Sequence, residues 1–229
     1  MRIRVDLHTH TYFSHDAVTS PEEMVRRYVA AGIECVAVTD HNDIRGALRL
    51  RDLAPFRVIL GEEIRSTVGD VIGLFLREAI PAGLSPAETL AEIRLQGGVS
   101  YLPHPFGRRG LSRTMVEAFT APDVLERLDI VEAFNSRNFT GEADRLARAF
   151  ADTHRLPIGA GSDAHTPFEI GNAFVITDEF DGPKSFLASL QGAEIVGRRT
   201  PMVLRAVLNH IVRRRLRAWR RRSAPGGEG

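Results

Sequence analysis

The sequence predicts a single α/β domain in which strands and helices alternate around a barrel. Apolar runs of strand length recur along the chain and are separated by stretches with helical periodicity, a pattern typical of βα units and a largely parallel sheet. A chain of 229 residues is long enough to bury the core of one such barrel. With 43% hydrophobic and 26% charged residues, its composition is that of an ordinary globular protein.

Eight strands and seven helices follow from these patterns. The first helix begins at Ser20-Pro21, where the serine can cap free amides and the proline suits the first turn, and it ends at Gly32. The same start signal recurs at Ser85. The predicted strands are 3–7, 35–38, 58–60, 71–75, 99–102, 130–133, 157–159 and 173–176. The predicted helices are 21–31, 44–53, 86–96, 112–120, 141–154, 183–191 and 201–222.

Basic residues are concentrated at the C-terminal end. Residues 204–229 carry eight arginines and one glutamate, a charge of +7, which leaves −6 for residues 1–203 of a chain whose net charge is +1. An acidic body disfavours a nucleic-acid groove on the folded domain. Residues 201–222 predict an amphipathic, arginine-rich helix, which either packs by its apolar stripe or anchors the protein to nucleic acid or an anionic membrane. Residues 223–229 predict a disordered tail.

No segment has the pattern of a membrane span or a secretion signal. The N-terminus reaches Asp6 before any apolar run of signal-peptide length, and no later stretch approaches the roughly 18 apolar residues that span a bilayer. We therefore expect a cytoplasmic protein. Cys35 is the only cysteine and lies in an apolar run, which excludes a disulfide framework and a cysteine-based zinc site. The oligomeric state does not follow from the sequence.

Histidines and acidic residues gather directly after the predicted strands. In a barrel of parallel strands the carboxyl ends meet at one rim, where enzymes of this architecture place their chemistry. We therefore expect these clusters to converge in space. They are Asp6-Leu7-His8-Thr9-His10, Thr39-Asp40-His41-Asn42, Gly61-Glu62-Glu63, His104-Pro105, Glu132 with Asn135, and Gly161-Ser162-Asp163-Ala164-His165.

The convergence predicts a metal site. Side chains alternate along an extended segment, so His8 and His10 lie on the same face and can bind one ion together. A lone histidine at a strand end is more often a hydrogen-bonded residue than a ligand, but five of the eight histidines lie beside acids here. Carboxylates and imidazoles without thiolates favour manganese, iron, zinc or magnesium. His15, His154 and His210 lack such a setting and are not expected to be ligands.

The ordered motifs resemble the PHP family, the polymerase and histidinol phosphatase domain, over about residues 1–200. To the clusters above, the resemblance adds the motif Ser14-His15-Asp16. It implies a distorted seven-stranded (β/α)7 barrel, similar to a TIM barrel, with two or three divalent ions and a hydrolytic phosphoesterase activity. Stand-alone domains of this kind hydrolyse small phosphate esters such as nucleotides or histidinol phosphate, whereas polymerase-linked versions act on nucleic-acid ends.

The resemblance also implies a ligand set. Glu63 is preferred to Glu62 because the family's ligand lies two residues after the glycine. One ion would be held by His8, His10, Glu63 and Asp163, a second by Glu63 and His104, and a third by Asp16, His41 and His165. Catalysis is expected to depend on His8, His10, Glu63, His104, Asp163 and His165.

One segment departs from the family pattern. Where many relatives carry a histidine before an apolar, glycine-containing strand, this chain has Asp70. A carboxylate there could bind a hard ion as a further metal ligand, or Asp70 could be a turn residue at the start of the strand. Asp40 is expected to orient a ligand histidine. Glu132 and Asn135 are expected to line or support the pocket.

These motifs lead to one functional hypothesis and two alternatives. A metal-bound hydroxide attacks phosphorus while the ions hold the non-bridging oxygens, so no protein nucleophile is required. Arg109 and Arg137, together with Asn135, are the candidates for substrate contact, although arginine on an exposed loop is more often only solvated. The acidic body favours a small phosphorylated substrate, with a nucleotide first. The alternatives are a nuclease acting on nucleic-acid ends and a metal-binding regulatory module without turnover.

Overall fold

The structure is a computed structural model that describes residues 1–107, 113–201 and 210, with the backbone alone for residues 113–116. The predicted helix at 201–222 and the predicted tail at 223–229 lie outside these residues, apart from positions 201 and 210. No helix in the described part of the chain is long and apolar enough to cross a bilayer.

The described residues contain nine strands and seven α-helices, and one short 3-10 helix follows the last α-helix. The strands are β1 (Arg2–Thr9), β2 (Cys35–Val38), β3 (Arg57–Arg65), β4 (Asp70–Leu74), β5 (Val99–Leu102), β6 (Ile130–Asn135), β7 (Ile158–Gly161), β8 (Ala173–Asp178) and β9 (Glu194–Gly197). The helices are α1 (Pro21–Ala31), α2 (Arg45–Leu53), α3 (Pro86–Leu95), α4 (Arg113–Thr120), α5 (Pro122–Leu125), α6 (Gly141–His154) and α7 (Pro183–Ser189).

The strands form one sheet in the order β7-β6-β5-β4-β3-β2-β1-β8-β9. Strands β1, β2 and β3 are mutually parallel, as are β5, β6 and β7. Strand β4 runs antiparallel to both of its neighbours, and β8 and β9 are also antiparallel. The expectation of a largely parallel sheet is therefore wrong at β4 and β8, which run opposite to the other strands. Residues 66–69 are too few for the crossover of a dozen or more residues that a parallel β3–β4 pair needs.

Strand β1 joins the two ends of the barrel. Its first half pairs with β8, whereas Thr9 forms a parallel bridge with Ala164, just after β7. Backbone hydrogen bonds run from His10 N to Ala164 O (3.0 Å) and from Asp163 N to His8 O (2.7 Å). The sheet is therefore a nearly closed barrel at the end where β1 and β7 finish.

The strand count is nine among the described residues rather than the expected seven. Strands β1 to β7 make the barrel, and β8 and β9 extend the sheet beyond β1. The patterns in the sequence do not predict β9. Its four residues are exposed or half-buried at the edge of the sheet, so they carry little of the apolar signal by which strands are recognised.

Two apolar clusters pack on the two faces of the sheet. One contains Leu7, Ile59 and Tyr101 from the strands and Phe186 from α7. The other joins alternate strand residues such as Val36 to the helices that cover the sheet. Because side chains alternate along a strand, the first cluster fills the barrel and the second lies beneath the outer helices. Each fully buried side chain of this size contributes about 1.5–3 kcal/mol.

The predicted helix start signals are confirmed. Ser20 accepts a hydrogen bond from Glu23 N (3.2 Å) at the start of α1, and Ser85 forms a capping box with Glu88 at the start of α3. Such caps stabilise a helix by about 1 kcal/mol each. The cap at Ser20 also fixes the end of the loop that follows β1.

Candidate metal centre

His8 and His10 extend from the end of β1 towards the same point. The register of β1 against β2 shifts between Asp6 and Thr9, and irregularities of this kind re-aim side chains beside functional sites. Both histidines are fully buried, and their Nε2 atoms lie 3.1 Å apart. The structure thus brings the predicted His-x-His pair together.

Glu63 occupies the centre of the cluster. Its Oε2 lies 3.3 Å from Nε2 of His8 and 3.3 Å from Nε2 of His10. The same oxygen is 3.3 Å from Nδ1 of His41, whereas Oε1 is 3.3 Å from Nε2 of His104. A single carboxylate therefore faces four imidazoles that come from three separate segments of the chain.

Glu62 faces the opposite side of β3. Its Oε2 accepts a hydrogen bond from Ile80 N (2.8 Å). Ile59, which shares a strand face with Glu63, belongs to the cluster inside the barrel, whereas Ile64, on the face of Glu62, packs with the outer helices. Glu63 therefore lies on the face of β3 that carries the cluster, and Glu62 lies on the face that the outer helices cover.

His104 and Asp163 reach the cluster with unusual backbone conformations. Their φ angles are 28° and 49°, in a region that non-glycine residues seldom adopt and that is enriched at functional sites. Oδ1 of Asp163 lies 3.4 Å from Nε2 of His10 and 3.3 Å from Nδ1 of His165. Asp163 therefore links the buried histidines to the more exposed ones.

Asp16, His41 and His165 form an outer group. Oδ2 of Asp16 lies 3.2 Å from Nε2 of His165 and 3.5 Å from Nε2 of His41. The side chain of Asp16 is 28% exposed and that of His41 is 18% exposed, whereas the His8 side chain is completely buried. Solvent therefore reaches the cluster both at this group and at His104, whose side chain is 31% exposed.

The donor atoms fit divalent metal ions. Two buried carboxylate oxygens, Oδ1 of Asp16 and Oε1 of Glu63, have no hydrogen-bond partner in the described part of the chain. Converging imidazole nitrogens and carboxylate oxygens are the ligands that zinc, manganese and iron use in proteins. Candidate ligand atoms lie within 4.8 Å of one another in three sets, namely His8, His10 and Glu63; His8, His104 and Asp163; and His10, His41 and His165.

Within the cluster, the carboxylates raise the pKa values of His10 and His104, and the histidines lower the pKa of Glu63. Burial alone would lower the pKa of His10, but Asp163 and Glu63 raise it to about 10. Burial also opposes protonation of His104, yet Glu63 raises its pKa to about 9. Burial would raise the pKa of Glu63, but the histidines around it, with His41 and His8 first, hold that pKa well below its usual value. A metal ion that binds these histidines must therefore displace protons.

Ser14 and Asp40 form a chain of hydrogen bonds that ends at Nδ1 of His10. Nδ1 of His10 lies 3.0 Å from Oγ of Ser14, which donates a hydrogen bond to Oδ1 of Asp40 (3.0 Å). Asp40 is fully buried and also accepts a hydrogen bond from Thr11 N (2.7 Å). This geometry agrees with the expectation that Asp40 orients a ligand histidine. The sequence offers no signal for the intervening Ser14 beyond its place in the motif Ser14-His15-Asp16.

Glu169 is a supporting residue that the sequence analysis does not identify. Its Oε2 accepts hydrogen bonds from the backbone N atoms of His165 and Thr166 (3.1 Å each). Its Oε1 lies 3.4 Å from Nε of Arg137. Glu169 is fully buried and fixes both the loop of a predicted ligand and the side chain of a predicted substrate contact. An acid four residues after His165 is the only hint of this role in the sequence.

Asp70 lies at the same rim as the other candidates because β4 is antiparallel. Its Oδ1 is 3.2 Å from Nε of Arg65 on the neighbouring strand. Burial and then the charge of Glu63 raise the pKa of Asp70, while Arg65 and the nearby histidines lower it. Asp70 is thus close enough to Glu63 to feel its charge.

Asn135, Arg109, His15 and His154 are the other residues that the sequence analysis considered. Asn135 is buried, donates a hydrogen bond to Oε2 of Glu132 (2.9 Å) and lies 3.3 Å from Oδ2 of Asp163, so it supports the cluster from within. Arg109 lies outside the described residues. His15 is exposed with its ring 5.1 Å from that of His41, and His154 packs against Phe150 with ring centroids 4.6 Å apart.

Two family models match the chain: the PHP domain over residues 6–83 and the PHP-associated model over residues 141–195. An uncharacterized protein of Methanocaldococcus jannaschii is 34% identical over 199 residues, which cover 82% of this chain and 79% of that protein. The fold and the matches define a domain of the PHP-type metal-dependent phosphoesterase class. The chain belongs to the PHP family.

Solved structures share this fold. A two-domain protein from Bacteroides vulgatus that contains a predicted PHP-like metal-dependent phosphoesterase matches with a TM-score of 0.66 and 17% identity, over 86% of this chain and 65% of that chain. Endonuclease Q, in complex with a duplex that carries an abasic lesion, matches with a TM-score of 0.68 and 14% identity, over 87% of this chain and 60% of that chain. This chain thus spans less than two thirds of either one, and at these identities the likeness shows the fold alone.

Proposed function

We propose that this chain is a hydrolase that cleaves phosphate esters with the help of two or three divalent metal ions. The observation that carries the proposal is the position of Glu63, whose two oxygens each lie 3.3 Å from histidine nitrogens on opposite sides. The proposed metal ligands are His8, His10, Asp16, His41, Glu63, Asp70, His104, Asp163 and His165.

Glu63 is the proposed bridge between two inner ions. One ion would take His8, His10 and Asp163 with Oε2 of Glu63, and the other would take His104 with Oε1. The separation of the two oxygens between different histidines supports this division. Asp70 is the proposed additional ligand, since it lies at the same rim as Glu63 and stands where the family pattern has a histidine.

Asp16, His41 and His165 are the proposed ligands of a third, outer ion. The partial exposure of Asp16 and His41 would allow a substrate phosphate to reach this ion. Bound divalent ions supply a hydroxide nucleophile at neutral pH and neutralise charge on the phosphate. Manganese, zinc or iron suits the mixed nitrogen and oxygen donors, and magnesium suits the carboxylates.

Arg137 is the proposed phosphate-binding residue of the chain itself. Glu169 holds its guanidinium at 3.4 Å, and the side chain is only 14% exposed. Glu169 also accepts a hydrogen bond from the backbone N of His165 (3.1 Å), which supports a position of the Arg137 guanidinium beside the cluster. Arginine can grip a phosphate with two parallel hydrogen bonds. Asn135 is better suited to positioning Asp163 than to direct substrate contact, because it is buried and already bonded.

A nucleotide is the proposed substrate. Tyr12 and Phe139 are 37% and 41% exposed and lie on loops that follow β1 and β6, at the rim that carries the cluster. Tyr12 stacks on Phe13 with ring centroids 4.8 Å apart. Aromatic faces of this kind bind nucleobases by stacking, which is worth about 1–3 kcal/mol per base.

A nuclease acting on nucleic-acid ends is the second candidate. The shared fold with endonuclease Q and the eight arginines in residues 204–229 favour it. If the protein is a nuclease, the arginine-rich segment would bind the nucleic acid. The alternative for this segment is binding to an anionic membrane. Removing residues 201–229 would then weaken oligonucleotide binding and lower its salt dependence.

The test is a panel of phosphate esters assayed with and without added manganese. The panel contains nucleoside monophosphates and bisphosphates, a phosphodiester, glycerol phosphate and single- and double-stranded oligonucleotides. We expect manganese-dependent release of inorganic phosphate from the nucleotides. Turnover confined to oligonucleotides would favour the nuclease, and metal binding without turnover on any member would favour the regulatory module.

A further inference from the structure

Glu132 contacts three residues of the inner metal site, namely His8, His104 and Asn135. It is fully buried in β6, and its Oε1 lies 3.1 Å from Nδ1 of His8. Its Oε2 accepts hydrogen bonds from the backbone N of His104 (2.7 Å) and from Nδ2 of Asn135 (2.9 Å). Nδ2 of Asn135 also reaches Oδ2 of Asp163 at 3.3 Å.

We propose that Glu132 is a positioning residue that fixes His8, His104 and Asp163 in the geometry that binds the inner metal ions. This inference rests on the proposed function, because it concerns the ligands of the same site. It adds a residue that is not itself a ligand, and it predicts which ions depend on that residue.

The first contact selects the tautomer of His8. When Nε2 of His8 holds a metal ion, the proton of the neutral ring lies on Nδ1, and the carboxylate of Glu132 accepts the hydrogen bond from it. The lone pair on Nε2 is then directed at the cluster, where Nε2 lies 3.3 Å from Oε2 of Glu63. Carboxylates that hold metal-binding histidines in this way fix both the tautomer and the orientation of the ring.

The other contacts hold two backbone segments that are strained. His104 has a φ angle of 28° and Asp163 has a φ angle of 49°, conformations that cost free energy in residues other than glycine. Glu132 offsets part of this cost by accepting the hydrogen bond from His104 N, and it restrains Asp163 through Asn135.

The geometry requires a carboxylate rather than an amide. The two oxygens of Glu132 face three donors, namely Nδ1–H of His8, N–H of His104 and Nδ2–H of Asn135. In Glu132→Gln, an amide group turned towards His8 would donate to Nδ1 and move the proton to Nε2, where it blocks metal binding. Turned the other way, the amide would face the donors of His104 and Asn135.

The experiment compares manganese binding to the full-length wild type and Glu132→Gln by isothermal titration calorimetry, after both have been stripped of metal with a chelator. We expect the variant to bind the tight, inner ions about 10- to 100-fold more weakly, the range found when partners of metal ligands are lost. The affinity of the outer ion should change less than twofold, because Glu132 contacts neither Asp16 nor His165 in the hydrogen bonds of the cluster.

Glu62→Gln is the matched control. Glu62 is also a fully buried carboxylate on a barrel strand, and it accepts a hydrogen bond from Ile80 N outside the cluster. We expect wild-type manganese affinity in this variant. A general effect of losing a buried carboxylate would weaken metal binding in both variants and would overturn the proposal.

A second variant covers the case in which Glu132→Gln does not fold. Asn135→Ala keeps the carboxylate of Glu132 and removes its link to Asp163, together with the hydrogen bond from Arg137 N to Oδ1 of Asn135. Manganese affinity should fall several-fold with an unchanged far-UV circular dichroism spectrum. Wild-type affinity in the folded variants would overturn the proposal. Metal affinity is measured without turnover, so the two proposals can fail separately. If Glu132 is not a positioning residue, the variant binds manganese like the wild type even though phosphoesterase activity is found. If the chain is not a phosphoesterase, no turnover is found even though Glu132→Gln binds manganese more weakly than the wild type.

Discussion

Asp70 and Arg65 face each other across the antiparallel β3–β4 pair, with Oδ1 of Asp70 3.2 Å from Nε of Arg65. Because β4 runs opposite to β3, the residue at the start of β4 lies at the same rim as Glu63 near the end of β3. If Asp70 takes the place of the histidine in the family pattern, as proposed, the substitution changes the donor atom and keeps its location.

Asp70→Ala should therefore lower both manganese content and turnover. We expect a loss of at least about 10-fold in kcat/KM, since the proposed site would lose a ligand, and we expect Asp70→His to restore activity. Arg65→Ala serves as the control because it removes the partner in a largely exposed ion pair, which contributes about 0–1 kcal/mol. Wild-type metal content and turnover in Asp70→Ala would show that Asp70 is only the partner of Arg65.

Gly46 allows α2 to approach Asp40 closely. A Cβ atom at this position would lie 1.9 Å from Oδ2 of Asp40 and 2.4 Å from Oγ1 of Thr11. We expect Gly46→Ala to lower the free energy of unfolding by about 1–3 kcal/mol and to weaken manganese binding, because Asp40 supports His10 through Ser14. Chemical denaturation measures the first effect. Gly192→Ala, where a Cβ atom meets nothing within 4 Å, should change neither quantity, and equal stability of the two variants would contradict the argument.

Protein stripped of metal should be most stable on the acid side of neutrality. The pKa values of His10 and His104 are raised to about 10 and about 9. Their contribution to stability is therefore complete below the ordinary value of 6.5 and is lost as the pH rises through 9 and 10. The pKa of Glu63 is depressed, so its contribution is present above the ordinary value of 4.5 and is lost at lower pH.

Thermal denaturation across a pH series tests this expectation. The Tm of metal-free protein should be highest between pH 4.5 and 6.5, the ordinary values of the two kinds of group, and should fall as the pH approaches 10. Added manganese should move the maximum to higher pH, because the ion takes the place of the protons. A Tm of metal-free protein that rises between pH 6.5 and 9 would contradict the assignment of these charges.

Tyr12→Ala tests the substrate class. Loss of a stacking contact worth about 1–3 kcal/mol should lower kcat/KM for a nucleoside monophosphate by about 5- to 150-fold. Turnover of glycerol phosphate, which has no base, should change less than twofold. Leu95→Ala removes another exposed apolar side chain, on α3, and should affect neither substrate. An equal loss on both substrates would point to a disturbed metal site rather than base recognition.

The sequence predicts the site more completely than it predicts the sheet. The strand-end clusters that contain His8, His10, Glu63 and Asp163 could be expected to meet because the carboxyl ends of parallel strands converge in a barrel. The choice of Glu63 within its cluster, and its role as a ligand, rests on the resemblance to the PHP family. Asp70 shows the limit of that rule. It lies at the start of its strand and reaches the rim only because β4 is antiparallel, which the short 66–69 connection determines and the apolar pattern does not.

The supporting residues could not be identified for a different reason. Ser14 and Glu169 act through hydrogen bonds to His10 and to the His165 loop, and such contacts join segments that are distant or irregular in the sequence. Strand β9 escapes prediction because its residues are half-exposed at an edge. Periodicity reports burial on one face of an element, so it does not report polar partners or exposed edges.

The most direct test of the account is the metal content and turnover of the same purified sample. Full-length wild-type protein and His10→Ala are prepared without chelator, analysed for manganese, zinc, iron and magnesium, and assayed on a nucleoside monophosphate. His154→Ala, which alters a histidine that packs against Phe150, is the matched control. The account predicts at least two tightly bound ions per chain with phosphate release in wild type and control, and a loss of both in His10→Ala. Fewer than two bound ions without turnover in the wild type, or full activity in His10→Ala, would contradict it.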